Sequence, residues 1–166
     1  MTESVQPVPM EIKGLMLDPS SNVPIVVLRD ADDTVFLPIW IGAFEANAIA
    51  LRLEGIEPPR PMTHDLLRAV LGALDTIVKQ IVITDLRENT FYASAFLTRG
   101  EDSFELDCRP SDAIALALRT EAPILVMPAV LEKAKAVTVS SDLSDEEKIR
   151  RWLEQAGPED LGDYEM

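Results

Sequence analysis

The chain has 166 residues, 47% of them hydrophobic, so we expect one folded domain rather than a disordered chain. Its formal net charge of −14 argues against sequence-independent binding of nucleic acid, which relies on Lys and Arg at the phosphates. The single Cys108 excludes an internal disulfide, and no apolar run approaches the ~20 residues of a membrane helix. Because the N-terminal segment also lacks the pattern of a signal peptide, we predict a cytoplasmic protein without membrane contact.

The first half of the chain is predicted to form a strand, a hairpin and two helices. The runs of β-branched residues indicate the strands, and an i, i+3, i+4, i+7 apolar pattern indicates the first helix. Three prolines then exclude a regular element. The predicted elements cover residues 10–18, 24–29, 35–41 and 45–55, and the proline segment covers 56–62.

Thr63 is predicted as the N-cap of the second helix. This helix carries one apolar stripe that should face the core. The stripe consists of Leu67, Val70, Leu71, Leu74, Ile77 and Val78.

The second half repeats the order of a hairpin followed by an alanine-rich helix. The string AIAL occurs in both helices, at 48–51 and 113–116, so we expect them to pack together in one chain or across a dimer. The fold class is therefore α+β, a compact single domain with a mixed or mainly antiparallel sheet and two hairpin-plus-helix units. The later strands and helices are expected at 81–86, 91–98, 103–108, 111–119, 123–127 and 129–136.

The C-terminal region is expected to be an appendage. The domain should span residues 10–135, a helical extension 142–157 and a frayed acidic tail 158–166. Residues 142–166 hold 9 acidic and 3 basic side chains, a net charge of −6 within the total of −14.

His64, the only histidine, lies in the segment RPMTHD and is a candidate base. As the first residue of a helix it would sit at the edge of the apolar stripe, where the helix dipole disfavours the imidazolium. Asp65 would point about 100° away, so these neighbours should not face one site. Residue type and position alone favour the alternative, a surface histidine at a helix start.

The segment DCRPSD combines two carboxylates with a guanidinium at a helix start. Helix N-termini bind phosphate, and Arg109 adds a bidentate donor beside Ser111. Asp107 and Asp112 could hold a divalent cation there. The alternative is purely structural, because Ser, Asp and Pro are ordinary residues of a first helical turn.

Two acid–arginine pairs share a spacing of seven residues on the predicted helices: Glu45 with Arg52, and Asp112 with Arg119. They could line a polar cleft, although we interpret them as solvated faces. Asp85, after a strand, is either a strand-end carboxylate or the start of a turn.

Four strings resemble the bifunctional nuclease domain family: FLPIWIGAFEANAIAL, GIEPPRPMTHDLL, ITDLRENTFYASAF and RPSDAIALALRTEAPILV. The resemblance implies a compact α+β fold, DNase and RNase activity on nucleic acid, and homo-oligomers, most simply a homodimer. It points to nine positions: Glu45, Arg60, His64, Asp65, Asp85, Asp107, Arg109, Ser111 and Asp112.

The hypothesis is hydrolysis of phosphodiesters in DNA and RNA with Mg²⁺ or Mn²⁺, which would offset the acidic charge. Asp107, Asp112 and Asp85 would bind the metal; Arg60, Arg109 and Ser111 would bind phosphate. His64, Glu45 and Asp65 are the catalytic candidates. The alternative is a non-catalytic regulatory or protein-interaction domain whose polar motifs are helix caps and ion pairs. A catalytic site requires RPMTHD and DCRPSD to converge in one cleft.

Overall fold

One mixed sheet forms the frame of the protein. The computed structural model describes residues 4–134, 137–138 and 147, and within them eight strands pair in the order β6-β5-β4-β7-β1-β2-β3-β8. All neighbouring strands are antiparallel except β4 and β7, which are parallel. The strands are β1 Val8–Leu17, β2 Pro24–Asp30, β3 Val35–Trp40, β4 Ile77–Arg87, β5 Thr90–Arg99, β6 Asp102–Cys108, β7 Ile124–Val126 and β8 Val137–Thr138.

Four helices accompany the sheet in the described residues: α1 Ala43–Leu53, α2 Thr63–Ala73, α3 Pro110–Thr120 and α4 Pro128–Lys133. The predicted α+β class and both hairpin-plus-helix units are confirmed, as β2–β3–α1 and β5–β6–α3.

The two alanine-rich helices pack against each other within one chain. Helix α1 also contacts β1 and β2, whereas α3 contacts β4 and β5, so the pair joins the two halves of the sheet. Small side chains let the helices approach closely, and Ala48, Ala113 and Ala117 are buried. Ile49 and Ile114, both fully buried, fill the space around them. This contact uses the alanine faces that could otherwise have formed a dimer interface.

Helix α2 differs from its prediction in three ways. Met62, not Thr63, is the N-cap, because the Asp65 carboxylate accepts a hydrogen bond from the Met62 N–H at 2.9 Å. The helix ends at Ala73, and Asp75 then adopts a positive φ of 50° that breaks the helical run. Ile77 already belongs to β4, where the alternation of exposed and buried residues is that of a strand.

Most of the apolar stripe of α2 lies outside the core, although Leu71 packs against it. No residue of α2 is buried; Leu67 is 41% exposed and Val70 45%. The prediction of a core-facing stripe is therefore wrong for Leu67 and Val70 and correct for Leu71. The predicted helix 142–157 and tail 158–166 lie outside the described residues, except Glu147, which is helical.

A buried carboxylate fixes the turn between β1 and β2. Asp18 is 3% exposed, and its carboxylate accepts hydrogen bonds from the Ser20 hydroxyl at 2.7 Å and the Trp40 indole at 2.9 Å. Burial alone would raise the pKa of Asp18. The hydrogen bonds from Trp40, Ser20 and the Ser21 backbone outweigh burial and lower the pKa from 3.8 to about 2.

Replacement of Asp18 with asparagine is therefore expected to reduce stability at pH 7 by about 2 kcal/mol. Because the pKa is lower in the folded state, this contribution is complete above the unfolded-state value and is lost as the pH falls from about 4 to about 2. Urea denaturation across this pH range should show the variant and the parent converging at acidic pH. Trp40→Phe should reproduce part of the loss, and a constant difference across the range would contradict the assignment.

Candidate functional site

A cleft of about 970 Å³ lies between the first three helices and the strands β5 and β6. The first turns of α2 and α3 both open onto it, so the segments RPMTHD and DCRPSD meet there, as a site requires. Of the nine residues selected from the sequence, five line the cleft: Glu45, His64, Asp107, Arg109 and Asp112.

A chain of polar contacts joins three helices in this cleft. His64 Nε2 lies 2.9 Å from Asp112 Oδ1, and Arg109 Nε donates to Asp112 Oδ2 at 2.8 Å. The Arg109 Nη2 atom lies 3.0 Å from Glu45 Oε1. Pro110 occupies the first helical turn of α3, with Arg109 as the N-cap, which places Asp112 in that turn facing α2.

The cleft holds an acidic cluster whose negative charge Arg109 compensates only in part. Burial alone would raise the pKa of Asp112, but hydrogen bonds and charge from Arg109 and His64 lower it below its ordinary value. The hydrogen bond with Asp112, followed by the charges of Asp112 and Glu45, raises the pKa of Arg109 despite partial burial. With Asp107 included, three carboxylates face one guanidinium among the residues that the structure describes, so these groups carry two excess negative charges when His64 is neutral.

The remainder of the cleft wall is mostly apolar and was not anticipated from the sequence. Phe44, beside Glu45, is 90% exposed, and Leu106 on β6 is 51% exposed. Together with Leu67 of α2 and Phe91 of β5 they offer surface for flat, apolar groups such as nucleobases. The one feature of the sequence that could have indicated this apolar wall is Phe44, an aromatic residue in the first turn of an otherwise alanine-rich helix.

Four selected residues lie outside the cleft lining. Arg60 is exposed in the loop before α2, and Ser111 is buried beside a second, smaller cavity. Asp85 pairs with Lys133 at 2.7 Å and with Arg87 at 3.1 Å. These contacts show a structural ion pair for Asp85; its role as a metal ligand stays a prediction.

Asp65, the fourth residue outside the lining, binds Arg119 rather than the cleft groups. Asp65 Oδ1 accepts a hydrogen bond from Arg119 Nε at 2.7 Å, and the Arg119 side chain is only 1% exposed. The interpretation of Asp112 and Arg119 as a solvated face is therefore wrong. Their spacing of seven residues does place both on one side of α3, where His64 and Asp65 contact them.

The carboxylates of the cleft do not form a ready metal centre. Both oxygens of Asp112 and one of Glu45 already contact His64 or Arg109. Among residues 4–134, 137–138 and 147 there is no group of three or more His, Cys, Asp or Glu side chains able to hold a metal ion. In this arrangement the residues do not fit Mg²⁺ or Mn²⁺, and metal dependence stays a prediction.

Cys108 lines the cleft but is poorly suited to act as a nucleophile. Burial, followed by the negative charges of Asp107 and Asp112, raises the pKa of its thiol to about 11. The reactive thiolate is therefore scarce at neutral pH.

We expect iodoacetamide to alkylate Cys108 about two orders of magnitude more slowly than free cysteine at pH 8. Denaturation in urea should restore the rate of an ordinary thiol, which provides the internal control. Mass spectrometry of quenched samples measures both rates. Equal rates in the folded and unfolded protein would show that the thiolate is not suppressed by its surroundings.

The fold and the cleft define a class of α+β domain. In this class three helices bring a histidine, an arginine and two carboxylates together in one cleft. Residues 26–139 match the bifunctional nuclease domain family, and the chain belongs to that family.

Relatives of two kinds are similar to the chain. An uncharacterized protein of Mycobacterium tuberculosis strain H37Rv is 41% identical over 163 residues, covering 92% of this chain and 96% of its own length. Bifunctional nuclease 1 of Oryza sativa subsp. japonica is 26% identical over 112 residues, covering 66% of this chain and 34% of its own. Bifunctional nuclease 2 of the same plant is 28% identical over 118 residues, covering 69% and 36%. The chain thus spans about a third of each rice protein.

None of the helices in the described part of the chain combines the length and apolar character needed to cross a membrane.

Proposed function

We propose that this protein hydrolyses phosphodiester bonds of DNA and RNA, with the His64–Asp112 pair acting as general base. The observation that carries the proposal is the 2.9 Å contact between His64 Nε2 and Asp112 Oδ1, with Arg109 bound to the same carboxylate. Membership in the bifunctional nuclease domain family supports the choice of reaction. We also propose that it acts in the cytoplasm, consistent with its single free cysteine.

The proposed reaction begins with proton transfer to His64. When Nε2–H donates to Asp112, Nδ1 carries the lone pair that accepts a proton from the attacking water. The water oxygen forms a bond to phosphorus while the bond to the leaving oxygen breaks. The Asp112 carboxylate stabilises the imidazolium, which then releases the proton to solvent. The leaving oxygen lies on the opposite side of phosphorus and takes a proton from a second water.

Arg109 is the proposed phosphate ligand. Its Nε and Nη2 atoms contact Asp112 and Glu45, and its side chain is 51% exposed, so further N–H donors remain accessible. Those donors can bind the non-bridging oxygens on which negative charge builds in the transition state. Glu45 and Asp112 hold the guanidinium in one orientation, which lowers the entropic cost of binding phosphate.

The excess of two negative charges opposes binding of a polyanion, which is why we also propose a requirement for Mg²⁺ or Mn²⁺. A divalent cation that binds together with the nucleic acid would offset such charge. It would have to bind without Asp112, because both oxygens of that carboxylate contact His64 and Arg109 in the proposed base.

The function is tested with single-stranded DNA and RNA oligonucleotides, with and without Mg²⁺, Mn²⁺ and a chelator. His64→Ala protein purified in parallel is the control for contaminating nucleases. We expect the parent protein to cleave in the presence of the metal, and His64→Ala not to cleave. Cleavage that persists in chelator would refute the metal requirement but not the general base. Equal cleavage by His64→Ala would refute the proposed base.

The alternative function is a non-catalytic interaction domain. The observation that favours it is the saturation of the cleft groups by one another, since Arg109 already contacts two carboxylates. Absence of cleavage by rigorously purified protein under all metal conditions would favour this alternative.

We further propose that the protein is a homodimer, with the exposed face of α2 as part of the interface. Leu66 and Val70 of this helix and Leu74 at its C-cap lie outside the cleft lining and are 45–58% exposed, a grouping unusual on a monomer surface. The net charge opposes association, so a dimer should tighten as salt screens the repulsion.

Sedimentation velocity at micromolar concentration should show a dimer that is more populated at 0.5 M than at 0.05 M salt, a change that shortens the Debye length about threefold. Val70→Glu should shift it to monomer. Leu17→Glu, at a leucine of β1 that is 55% exposed, is the matched control and should remain a dimer. A parent protein that is monomeric at both salt concentrations would contradict the proposal.

A further inference from the structure

Arg119 binds all three helices that surround the cleft while itself lying in the protein interior. The residue is 3% exposed. Its Nε donates to Asp65 Oδ1 of α2 at 2.7 Å. Nη2 donates to the Ala48 carbonyl of α1, and Nη1 to the Ala115 carbonyl of α3, each at 3.0 Å. A buried guanidinium is costly unless its donors are satisfied, and these contacts supply three partners.

Helix α2 needs such an attachment because packing holds it weakly. None of its residues is buried, and within the described structure its large apolar side chains are mostly exposed. Its first turn is joined to α3 by two polar contacts, Asp65 with Arg119 and His64 with Asp112. The second oxygen of Asp65 also accepts the Met62 N–H, so one carboxylate both caps α2 and attaches it.

The two contacts differ in strength and are well separated. Asp112 and Arg119 lie seven residues apart on α3, a rise of about 10 Å, whereas His64 and Asp65 are adjacent in the chain. The carboxylate of Asp112 is 31% exposed, so water competes for its contact with His64. The Arg119 side chain is 1% exposed, so its contact with Asp65 is the less screened of the two.

We propose that Asp65 and Arg119 are a positioning pair that holds α2 so that His64 meets Asp112. Neither residue lines the cleft, so their effect on the site passes through the orientation of α2. The catalytic consequence rests on the proposed function, but the positioning itself is a property of the protein without substrate. Loss of the pair would let the first turn of α2 pivot and would leave His64 without a fixed partner.

The single histidine makes the test direct, because every imidazole signal in an NMR spectrum belongs to His64. In ¹⁵N-labelled parent protein we expect the Nε2–H tautomer, with an Hε2 signal protected from exchange by Asp112. The spectrum of Asp112→Asn is the reference for an imidazole that lacks its carboxylate partner. Asp65→Asn is expected to lose the protected Hε2 signal and to move the ring ¹⁵N shifts toward that reference.

Asp33→Asn is the matched control, because it breaks an ion pair with Arg29 at 2.8 Å in the β2–β3 hairpin. It should leave the His64 signals as in the parent. Should Asp65→Asn fail to fold by circular dichroism, Arg119→Lys takes its place. It keeps the charge but cannot reproduce the forked set of donors, and the same loss of the Hε2 signal is expected.

Folded Asp65→Asn or Arg119→Lys protein with parent-like His64 signals would overturn the positioning role while leaving the His64–Asp112 base intact. A parent protein without the Nε2–H tautomer would overturn both. If the protein cleaves nucleic acid, Asp65→Asn should lower kcat by up to about 100-fold with KM little changed. If it does not, the NMR result still decides the positioning role.

Discussion

Replacement of Asp112 with asparagine is expected to lower kcat for phosphodiester hydrolysis by about 10²–10⁴-fold. Asparagine can still contact His64, but it cannot stabilise the imidazolium, and its amide allows the wrong ring tautomer. It also removes one of the two carboxylates that orient Arg109. The KM for a short oligonucleotide should change less than kcat, because Arg109 keeps its contact with Glu45.

The same substitution should leave the fold almost unchanged. The ion pair of Asp112 with Arg109 is partly exposed, and such pairs contribute about 1 kcal/mol or less. For a chain of this size that corresponds to a fall of about 2–4 °C in Tm. A calorimetric scan beside the kinetic assay therefore separates chemistry from stability. Parent-like kcat in a folded Asp112→Asn protein would eliminate the proposed base pair.

The sheet and the alanine-rich helices were predictable because local signals agreed with the tertiary structure. Strand β2 contains four consecutive buried β-branched or leucine residues at 25–28, and α3 has a helix-starting proline and five consecutive buried apolar residues. Helix α2 was not predictable in the same way. Its stripe has helical periodicity, but periodicity cannot tell whether an apolar face meets its own core or remains exposed.

The site was predictable in its residue types but not in its pairing. His64, Arg109 and Asp112 could be predicted as site residues because each lies at a helix start and has a side chain that can transfer a proton or bind phosphate or metal. The sequence could not indicate that the two helix starts lie 2.9 Å apart at His64 and Asp112, since 48 residues and three strands separate them. The burial of Arg119 could not be predicted from the sequence for the same reason. An arginine in a last helical turn is normally solvated, and only the tertiary fold encloses it.

Removal of the buried guanidinium should have the largest effect on stability. Arg119→Met keeps the length of the side chain but leaves the Asp65 carboxylate and the Ala48 carbonyl without their donor. Breaking a buried ion pair from one side typically costs about 3–5 kcal/mol. We expect about 3 kcal/mol, the lower end of that range, because the Asp65 side chain is 24% exposed and can gain water.

Urea denaturation of the parent, Arg119→Met, Asp65→Asn and the double variant measures this contribution as a double-mutant cycle, since asparagine removes the charge but can still accept the Met62 N–H. The double variant should be more stable than Arg119→Met alone, because it removes the unpaired carboxylate as well as its partner. Arg87→Met, at a side chain that is 61% exposed, is the matched control and should cost about 1 kcal/mol or less. If Arg119→Met cost no more than Arg87→Met, the buried contacts of Arg119 would not hold the three helices together, and the attachment of α2 would have to come from elsewhere in the chain.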